Sequence, residues 1–311
     1  MSTGDKDIIV SVCANCGKEG SDINNTCNKC KQVKYCNAAC KKKHRRKHKK
    51  QCEEHIRLAA EHAAALHDIE LFKQPAAEDC PICFLRLPMH QKGSKYMSCC
   101  GKKICSGCIY APVYDDQGNK VVERTCPFCR TPTPKSTEES IEREKKRAEA
   151  NDAVAIFNQG NYYRDGRNGY PQDADKAFEF YHRAAELGCS EAYCNIGVFY
   201  YYGGSVEVDL KKAVHYYELA AIGGGVTARY NLGYLEEVAG NMDRAVKHYI
   251  IAVRNGYADS LDCIKQMYSI GFATKEDYTK ALHSYQEYLD EIKSDKRDEA
   301  AAFDSERYRY Y

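Results

Sequence analysis

Fifteen of the eighteen cysteines of this chain fall between Cys13 and Cys129, and most of them come in short, regularly spaced pairs. A pair separated by two or three residues lets two thiolates converge on one ion, which suits the tetrahedral coordination of zinc. Along the chain, the candidate ligands form two consecutive blocks of eight. The sequence therefore predicts two small modules that are held together by metal rather than by a large apolar core.

The first block combines seven cysteines with one histidine. Its candidate ligands are Cys13, Cys16, Cys27, Cys30, Cys36, Cys40, His48 and Cys52. Eight ligands suit two four-coordinate zinc sites. His48 and Cys52 are four residues apart on a predicted helix, so their side chains point from the same face. Each structural zinc supplies roughly 10 to 16 kcal/mol of folding free energy, which a short polar segment cannot obtain from its own core.

These residues and spacings resemble those of the MYND zinc finger. The resemblance implies that the first and third pairs bind one ion and that the second and fourth pairs bind the other. One site would then contain Cys13, Cys16, Cys36 and Cys40, and the other Cys27, Cys30, His48 and Cys52. His44, one helical turn before His48, is an alternative ligand, although the H-x-x-x-C ending favours His48. The other interpretation of His44 is a solvent-facing member of a basic helix.

The second block contains cysteine alone. Its candidate ligands are Cys80, Cys83, Cys99, Cys100, Cys105, Cys108, Cys126 and Cys129. Over residues 78–132 the sequence is similar to a RING finger of the all-cysteine kind. The resemblance implies one zinc site of Cys80, Cys83, Cys105 and Cys108 and another of Cys99, Cys100, Cys126 and Cys129.

The adjacent Cys99 and Cys100 depart from the common RING pattern, which has a histidine in the fourth position. Adjacent ligands require a tight local turn, to which Gly101 can contribute. In the alternative, one of the two cysteines is not a ligand, and water or His90 completes the site.

A disulfide framework is the competing explanation of so many cysteines. The N-terminal residues, MSTGDKDIIVSVCANCG, contain no basic stretch followed by a long apolar core. Nor does any apolar run approach the roughly 18 residues that span a bilayer. We therefore expect an intracellular protein, cytoplasmic or nuclear, with no membrane segment. In a reducing compartment such spacings indicate metal.

From about Asp152 onward the sequence contains an internal repeat. Its marker is a basic residue and alanine, then tyrosine, then glycine. The markers are Lys176-Ala177, Tyr181 and Gly188; Lys212-Ala213, Tyr217 and Gly224; Arg244-Ala245, Tyr249 and Gly256; and a degraded copy at Lys280-Ala281 and Tyr285. Successive marker alanines are 36, 32 and 36 residues apart. This period is typical of paired-helix solenoids.

The segment Lys176 to Gly203 is similar to Sel-one-like repeats, which are related to the tetratricopeptide repeat. The resemblance implies three or four repeats over nearly half of the chain. Small residues are expected where facing helices approach closely, namely Ala155, Ala192, Ala228, Gly160, Gly197 and Gly233. Seven tyrosines are interpreted first as core and second as the lining of a peptide groove: Tyr162, Tyr163, Tyr200, Tyr201, Tyr202, Tyr216 and Tyr217.

These features predict a multidomain chain, in which two small zinc-stabilised, cross-braced α+β modules precede an all-α helical-repeat solenoid. The expected parts are a MYND-type finger at 1–54, a helical linker at 55–76, a RING-type finger at 77–134, a charged helical linker at 135–151 and the repeats at 152–311. Glu53 to Leu71 is predicted to form an amphipathic helix that ends before Pro75. Ser136 to Glu139 is a capping-box start of the second linker. Four zinc ions are expected, two per finger.

Charge is distributed unevenly along the chain. Residues 1–57 carry 14 Lys and Arg against 6 Asp and Glu, whereas residues 152–311 carry 18 against 25. Zinc-bound thiolates would move the formal charge of +2 toward negative values, so net charge does not support general nucleic-acid binding. The exception is Lys41 to Lys50, with eight Lys or Arg in ten residues. This run can attract phosphates or direct nuclear import, but a solvated helix face is favoured.

The RING resemblance implies a function in ubiquitin transfer. A RING finger has no covalent nucleophile and instead binds a ubiquitin-conjugating enzyme. By the resemblance, the contacts with that enzyme are Ile82, Ile109, Pro127 and Arg130. The departure is Tyr110-Ala111-Pro112, where many active RING fingers carry a longer helix. The leading hypothesis is therefore a RING-type ubiquitin ligase, with the MYND finger and the repeats recruiting protein or peptide ligands.

Two other hypotheses stay open. The first is a non-catalytic, zinc-binding scaffold in which all three parts bind proteins. The second, a nucleic-acid-binding regulator that uses Lys41 to Lys50, has less support. The sequence contains no P-loop, nucleophile elbow or dinucleotide fingerprint, and no catalytic residue is predicted. Cys189, Cys194 and Cys263 lack CxxC partners and are interpreted as buried or partly buried small residues of the repeats rather than as nucleophiles.

Overall fold

The structure is a computed structural model that describes residues 11–20, 23–89, 92–114, 119–120 and 124–311. The chain divides into two units, Met1–Glu70 and Leu71–Tyr311. In the part of the chain that the structure describes, no helix has both the length and the apolar composition needed to cross a membrane.

The first unit contains two short hairpins followed by a long helix. β1 (Ser11–Val12) pairs with β2 (Glu19–Gly20), and β3 (Asn25–Thr26) pairs with β4 (Lys34–Tyr35), both antiparallel. α1 (Ala38–Leu71) begins shortly after the second hairpin. The buried core of the hairpins consists of Cys13, Ile23 and Tyr35. Such a core is too small to stabilise the fold alone, so the cysteine pairs have to contribute.

α1 is longer than the helix predicted for Glu53 to Leu71, because the basic run Lys41 to Lys50 continues into it without a break. Apart from Lys41, the Lys and Arg side chains of that run are exposed, which confirms the solvated helix face. The amphipathic prediction for the second half was wrong in one respect, since Ile56, Leu66 and Ile69 are exposed rather than packed on a core. The helix ends before Pro75, as predicted.

The second unit begins with a small module around a β-hairpin, which we call the hairpin module (residues 78–132). β5 (Ser94–Met97) pairs antiparallel with β6 (Lys102–Cys105), and α2 (Ser106–Tyr110) follows directly. The core of this module is mostly cysteine, together with Leu87, Met97 and Ile104. As in the first unit, the cysteines occupy the positions that apolar side chains fill in a larger domain.

The remainder of the second unit is helical. Its helices are α3 (Thr137–Glu149), α4 (Ala153–Asp165), α5 (Ala174–Glu186), α6 (Ser190–Tyr202), α7 (Leu210–Ile222), α8 (Val226–Val238), α9 (Met242–Arg254), α10 (Ala258–Ser269), α11 (Lys275–Ile292), α12 (Asp295–Phe303) and α13 (Ser305–Tyr308). α4 packs on α5, α6 on α7 and α8 on α9, and each pair contacts the next. This is the arrangement of a helical-repeat solenoid.

Polar N-caps fix where several of these helices begin. Ser136 accepts a hydrogen bond from the backbone N–H of Glu139 at the start of α3, but the Glu139 carboxylate accepts from the backbone N–H of Lys135, so only half of the predicted capping box forms. Asp152, Asp173 and Asp209 cap α4, α5 and α7 in the same way. A side-chain oxygen at this position satisfies a backbone donor that has no partner inside the helix.

The predicted small residues lie where the helices of a repeat meet. A Cβ atom at Gly160 would lie 2.7 Å from the Tyr181 ring, and one at Gly233 would lie 2.5 Å from the Tyr249 ring. Three alanines on the first helices of the repeats are completely buried, namely Ala155, Ala192 and Ala228. The marker tyrosines of the first three repeats are therefore core residues that pack directly on glycine backbone.

Candidate metal centres

The predicted ligands of the first block come together as two groups, in each of which the ligand atoms lie within 4.8 Å of one another. The first centre contains Cys13, Cys16, Cys36 and Cys40, and the second centre contains Cys27, Cys30, His48 and Cys52. The pairs alternate along the chain, since the two hairpins supply the early pairs and α1 supplies the last ligands. This is the grouping that the MYND resemblance implies.

Tight turns orient the CxxC pairs of both centres. Gly17 follows Cys16 with φ 71°, and Lys31 follows Cys30 with φ 58°. The backbone N–H of Gly17 donates to the carbonyl oxygen of Cys13 at 2.9 Å, which closes the turn. Left-handed backbone at this position costs little for glycine and more for lysine, so the turn at Lys31 depends on its surroundings.

The sulfur positions match the edges of a zinc tetrahedron. With a Zn–S distance of about 2.3 Å, tetrahedral thiolates lie about 3.8 Å apart. Cys16 Sγ lies 3.7 Å from Cys36 Sγ, and Cys27 Sγ lies 3.6 Å from Cys52 Sγ. His48 Nε2 lies 3.3 Å from Cys30 Sγ, and that histidine is buried. The donor set and the spacing fit zinc.

Local hydrogen bonds lower the pKa of four candidate ligand thiols, Cys13, Cys27, Cys80 and Cys129, whereas burial and neighbouring thiols raise it at several others, such as Cys36 and Cys52. The backbone N–H of Cys36 is the main cause that lowers the pKa of the Cys13 thiol to about 6. The hydroxyl of Thr131 is the main cause that lowers the pKa of Cys129 to about 6. The thiolate is the form that binds metal, so these contacts prepare both residues for that role.

His44 lies beside the second centre but is not one of its grouped ligand atoms. Its Nδ1 lies 3.2 Å from the hydroxyl oxygen of Tyr35, and its ring stacks on His48 with centroids 5.8 Å apart. His44 is therefore not grouped as the alternative ligand. It is also half-buried, so the interpretation of His44 as a solvent-facing residue was wrong. Its contact with Tyr35 joins α1 to the second hairpin.

The ligands of the second block also form two groups with ligand atoms within 4.8 Å of one another. The third centre contains Cys80, Cys83, Cys105 and Cys108, and the fourth centre contains Cys99, Cys100, Cys126 and Cys129. Cys83 Sγ lies 3.7 Å from Cys105 Sγ, and Cys100 Sγ lies 3.8 Å from Cys126 Sγ, again near the edge of a zinc tetrahedron. All eighteen cysteines of the chain are free thiols.

Cys99 and Cys100 both take part in the fourth centre despite being adjacent. Gly101 follows them with φ 70°, and its backbone N–H donates to the carbonyl oxygen of Met97 at 2.8 Å. The turn that adjacent ligands require is therefore present. His90, the alternative ligand, lies outside the described residues.

The four residues expected to contact a conjugating enzyme lie on the hairpin module. Ile82 and Ile109 are half-buried and pack on the core of that module, and Pro127 is half-buried. Arg130 is exposed and follows Cys129 with φ 63°.

Two exposed aromatic side chains stand beside the same turns and were missed by the sequence analysis. Phe84 is 77% exposed and Phe128 is 45% exposed. Their position in the sequence was the signal that could have identified them, because Phe84 directly follows a ligand pair and Phe128 lies inside one.

A groove of about 770 Å³ lies within the second unit, between the hairpin module and the repeats. α4 lines it with Val154, Phe157 and Asn161, which share one face of that helix. The start of α6 contributes Glu191 and Asn195. We call this cavity the repeat groove.

The opposite wall of the repeat groove carries cations that are already paired. Lys103 Nζ lies 3.0 Å from a carboxylate oxygen of Glu78 and 3.5 Å from one of Glu191. Arg86 donates to Glu291 at 2.5 Å and to the side-chain oxygen of Asn255 at 2.7 Å. The groove is therefore polar on this side without a large excess of free charge.

The predicted tyrosines do not line the repeat groove. Tyr217 is buried in the repeat core, whereas Tyr202 is 76% exposed, and the other five are half-buried. The core interpretation is therefore confirmed for Tyr217, and none of the seven tyrosines belongs to the repeat groove.

The cysteines of the repeats are packing residues. Cys189 and Cys194 are buried, and Cys263 is half-buried, as expected from the sequence. Burial raises the pKa of the Cys194 thiol to about 12, which keeps it protonated and unreactive at neutral pH.

Family comparisons identify two parts of the chain. The MYND finger family matches residues 13–52, and the Sel1 repeat family matches residues 153–189, 190–225 and 226–257. The chain therefore contains a MYND finger followed by an all-helical array of Sel1 repeats, which confirms both resemblances. The MYND finger and the cysteine groups indicate zinc binding. The RING resemblance of residues 78–132 stays a prediction.

Two curated proteins are similar to parts of this chain. Chitin synthase regulatory factor 4 of Schizosaccharomyces pombe is 26% identical over 140 residues, which are 44% of this chain and 22% of that protein. The F-box protein At1g70590 of Arabidopsis thaliana is 31% identical over 108 residues, which are 34% of this chain and 30% of that protein. The chain thus spans less than a third of the length of either relative.

Solved structures of Sel1-like proteins are also similar to this chain. A Sel1 repeat protein from Oxalobacter formigenes is 31% identical, with a TM-score of 0.43, over 52% of this chain and 66% of that one. A protective antigen of uropathogenic Escherichia coli that displays an SLR fold is 24% identical, with a TM-score of 0.42, over 61% of this chain and 43% of that one.

Proposed function

We propose that this chain is a protein-interaction scaffold. Its Sel1 repeats bind an extended peptide segment in the repeat groove, and zinc holds the cysteine-rich modules in shape. The observation that carries the proposal is the groove itself, which is lined by residues of α4, α6 and α8, the first helices of three successive repeats. Stacked repeats create such extended concave surfaces because each repeat is rotated slightly relative to the previous one.

The lining of the repeat groove suits a peptide. Phe157 and Leu187 offer apolar contact, and the side-chain amides of Asn161 and Asn195 can donate to and accept from a peptide backbone. The volume of about 770 Å³ falls in the range of roughly 300 to 1,000 Å³ that is usual for ligand sites. These properties support binding rather than a reaction.

The metal centres support the same function. Each centre brings together four protein ligands, which is the closed arrangement of a structural zinc site. Zinc in these centres would supply folding free energy and no reactive coordination position. The cysteine-rich modules then act as shaped surfaces for partners.

Peptide selection with a matched pair of variants tests the proposal. Thr227 is exposed and lines the repeat groove at the start of α8, where a carboxylate is tolerated by the helix N-terminus. Thr227→Glu therefore changes the groove without breaking the helix. Thr279→Glu is the control, because Thr279 is an exposed residue of α11 that does not line the groove.

Peptides would be selected from a random phage-displayed library on the zinc-loaded wild type, and their affinities measured by fluorescence anisotropy. We expect Thr227→Glu to weaken binding at least about tenfold and Thr279→Glu to leave it unchanged, since a tenfold change needs only about 1.4 kcal/mol. Equal affinities for both variants, or a library that yields no binder, would contradict the proposal.

A second candidate function is the RING-type ubiquitin ligase. It is favoured by the alternating ligand pairs of the third and fourth centres and by the exposed Phe84, Phe128 and Arg130. However, α12 packs on α2, next to Ile109, which reduces the surface that a conjugating enzyme could reach. We therefore rank it below the scaffold.

In vitro autoubiquitination with a panel of conjugating enzymes decides between these two functions. The wild type would be compared with Ile82→Ala and Arg130→Ala after its zinc content has been measured. Chains that form with the wild type and disappear in both variants would establish the ligase. If the fully metal-loaded protein transferred no ubiquitin with any conjugating enzyme, the ligase function would be rejected in favour of the scaffold.

A further inference from the structure

The C-terminal segment of the chain packs on the hairpin module. α12 lies against α2, and a Cβ atom at Gly107 would lie 2.9 Å from the backbone nitrogen of Arg297. Further along α2, Tyr110 joins Ala300 and Tyr308 in a buried cluster. The absence of a side chain at Gly107 thus lets the two helices touch.

Arg297 carries the contact from α12 to the third centre. Its side chain is completely buried. Nη1 donates to the carbonyl oxygen of Arg86 at 2.9 Å and to that of Ile292 at 2.5 Å. Nη2 lies 3.5 Å from the carbonyl oxygen of Leu85 and 3.9 Å from Cys83 Sγ, within reach of a sulfur acceptor. The guanidinium therefore joins the C-terminal helix to a candidate zinc ligand.

A buried guanidinium is costly unless a negative charge lies nearby. No carboxylate among the described residues forms an ion pair with Arg297, and its Nε has no hydrogen-bond partner there. Four thiolates around one divalent zinc carry a net charge of about −2. The third centre, once it holds zinc, would supply the missing negative charge.

We propose that Arg297 is a positioning residue of the third centre and that α12 is a structural part of the hairpin module. The guanidinium orients Cys83 and balances the charge of the thiolate site, as outer-shell donors do around other metal sites. The zinc-bound site in turn holds α12 on α2. Zinc retention and docking of the C-terminal segment are therefore coupled. This inference rests on the proposed zinc binding of the third centre.

Arg229 offers a matched control, because it is also buried and its Nε also lacks a partner. Its hydrogen bonds go to the backbone carbonyl oxygens of Leu71, Lys73 and Ala221 rather than to a thiol. Replacing it with methionine removes a buried arginine from the repeats without changing the surroundings of any centre.

The experiment uses the full zinc-loaded chain and measures zinc release to a chromogenic chelator for the wild type, Arg297→Met, Arg297→Lys and Arg229→Met. In parallel, hydrogen exchange of residues 295–303 in the wild type is followed before and after zinc removal. A Cys80→Ser, Cys108→Ser double variant reports whether the third centre holds zinc at all.

We expect Arg297→Met to release one class of zinc at least about tenfold faster, Arg297→Lys to be intermediate, and Arg229→Met to match the wild type. Residues 295–303 should exchange faster once zinc is removed. The proposed role of Arg297 would be overturned if Arg297→Met released zinc at the wild-type rate, or if hydrogen exchange of α12 did not change on zinc removal. Zinc binding at the third centre would stand in that case. An unchanged zinc content in the double cysteine variant would instead overturn zinc binding at the third centre, and this inference with it.

Discussion

The ring of Tyr217 packs on the backbone of Gly197, so closely that a Cβ atom at that glycine would lie 2.6 Å from Cδ1 and Cε1 of the ring. The same relationship joins Gly160 to Tyr181 and Gly233 to Tyr249. The tyrosine of each repeat marker therefore sets the distance between the two helices of its repeat, and the glycine makes that distance possible.

Gly197→Ala should consequently destabilise the repeats. Alanine is the better helix former by about 1 kcal/mol, but its methyl group cannot fit unless α6 or the Tyr217 ring moves, which typically costs about 1 to 3 kcal/mol. We expect a net loss of unfolding free energy, measured by urea titration of the helical circular dichroism signal. Gly223→Ala is the control, because the nearest atom to its Cβ would be Ser190 Cβ at 3.3 Å. Equal stability of the two variants would contradict the close-packing explanation.

The repeats could be predicted from the sequence because their contacts recur with a fixed local period. Each of the first three repeats supplies the marker tyrosine on its second helix and, on its first helix, the glycine on which that tyrosine packs. The MYND ligands were predictable for a related reason, since metal geometry restricts the spacing of each pair. Both signals lie within about forty residues of sequence.

Contacts between distant segments had no such signal. Arg297 and Cys83 are 214 residues apart, and Arg229 and Leu71 are 158 residues apart. In the sequence Arg297 belongs to DKRDEAAAF, which has the composition of an exposed helix. Its burial follows from the docking of α12 on α2, and no local period encodes that docking.

The exposure of Ile56 and Ile69 on α1 was missed because apolar spacing alone does not show whether a partner surface exists.

Zinc removal should affect the two kinds of structure differently. The cores of the first unit and of the hairpin module consist largely of cysteine, whereas the repeats bury alanine, tyrosine and isoleucine. Chelation is therefore expected to increase amide exchange at β1 to β6 while α4 to α9 stay protected. Hydrogen exchange with mass spectrometry measures this directly. Uniform loss of protection across the repeats would show that they depend on metal too.

His48 and His44 provide a matched test of the second centre. His48→Ala removes the only nitrogen ligand of that group and should lower the zinc content by about one ion per chain, measured by elemental analysis. His44→Ala should keep the zinc and lose only the contact with the Tyr35 hydroxyl, worth about 1 kcal/mol. The reverse order of zinc loss would assign the ligand to His44.

Arg229→Met should destabilise the second unit because two opposing effects differ in size. Burial lowers the pKa of Arg229 to about 10, so holding the cation in the folded state costs about 3 kcal/mol, which methionine would relieve. The same substitution leaves the carbonyl oxygens of Leu71, Lys73 and Ala221 without their donor, at roughly 1 to 3 kcal/mol each. At the middle of that range the three unpaired carbonyl oxygens together cost about 6 kcal/mol, which exceeds the relieved burial, and we expect a net loss of about 3 kcal/mol in urea unfolding. Lys211→Met, at an exposed position of α7, is the control and should change stability by less than about 0.5 kcal/mol. A more stable Arg229→Met variant would mean that burial of the charge dominates.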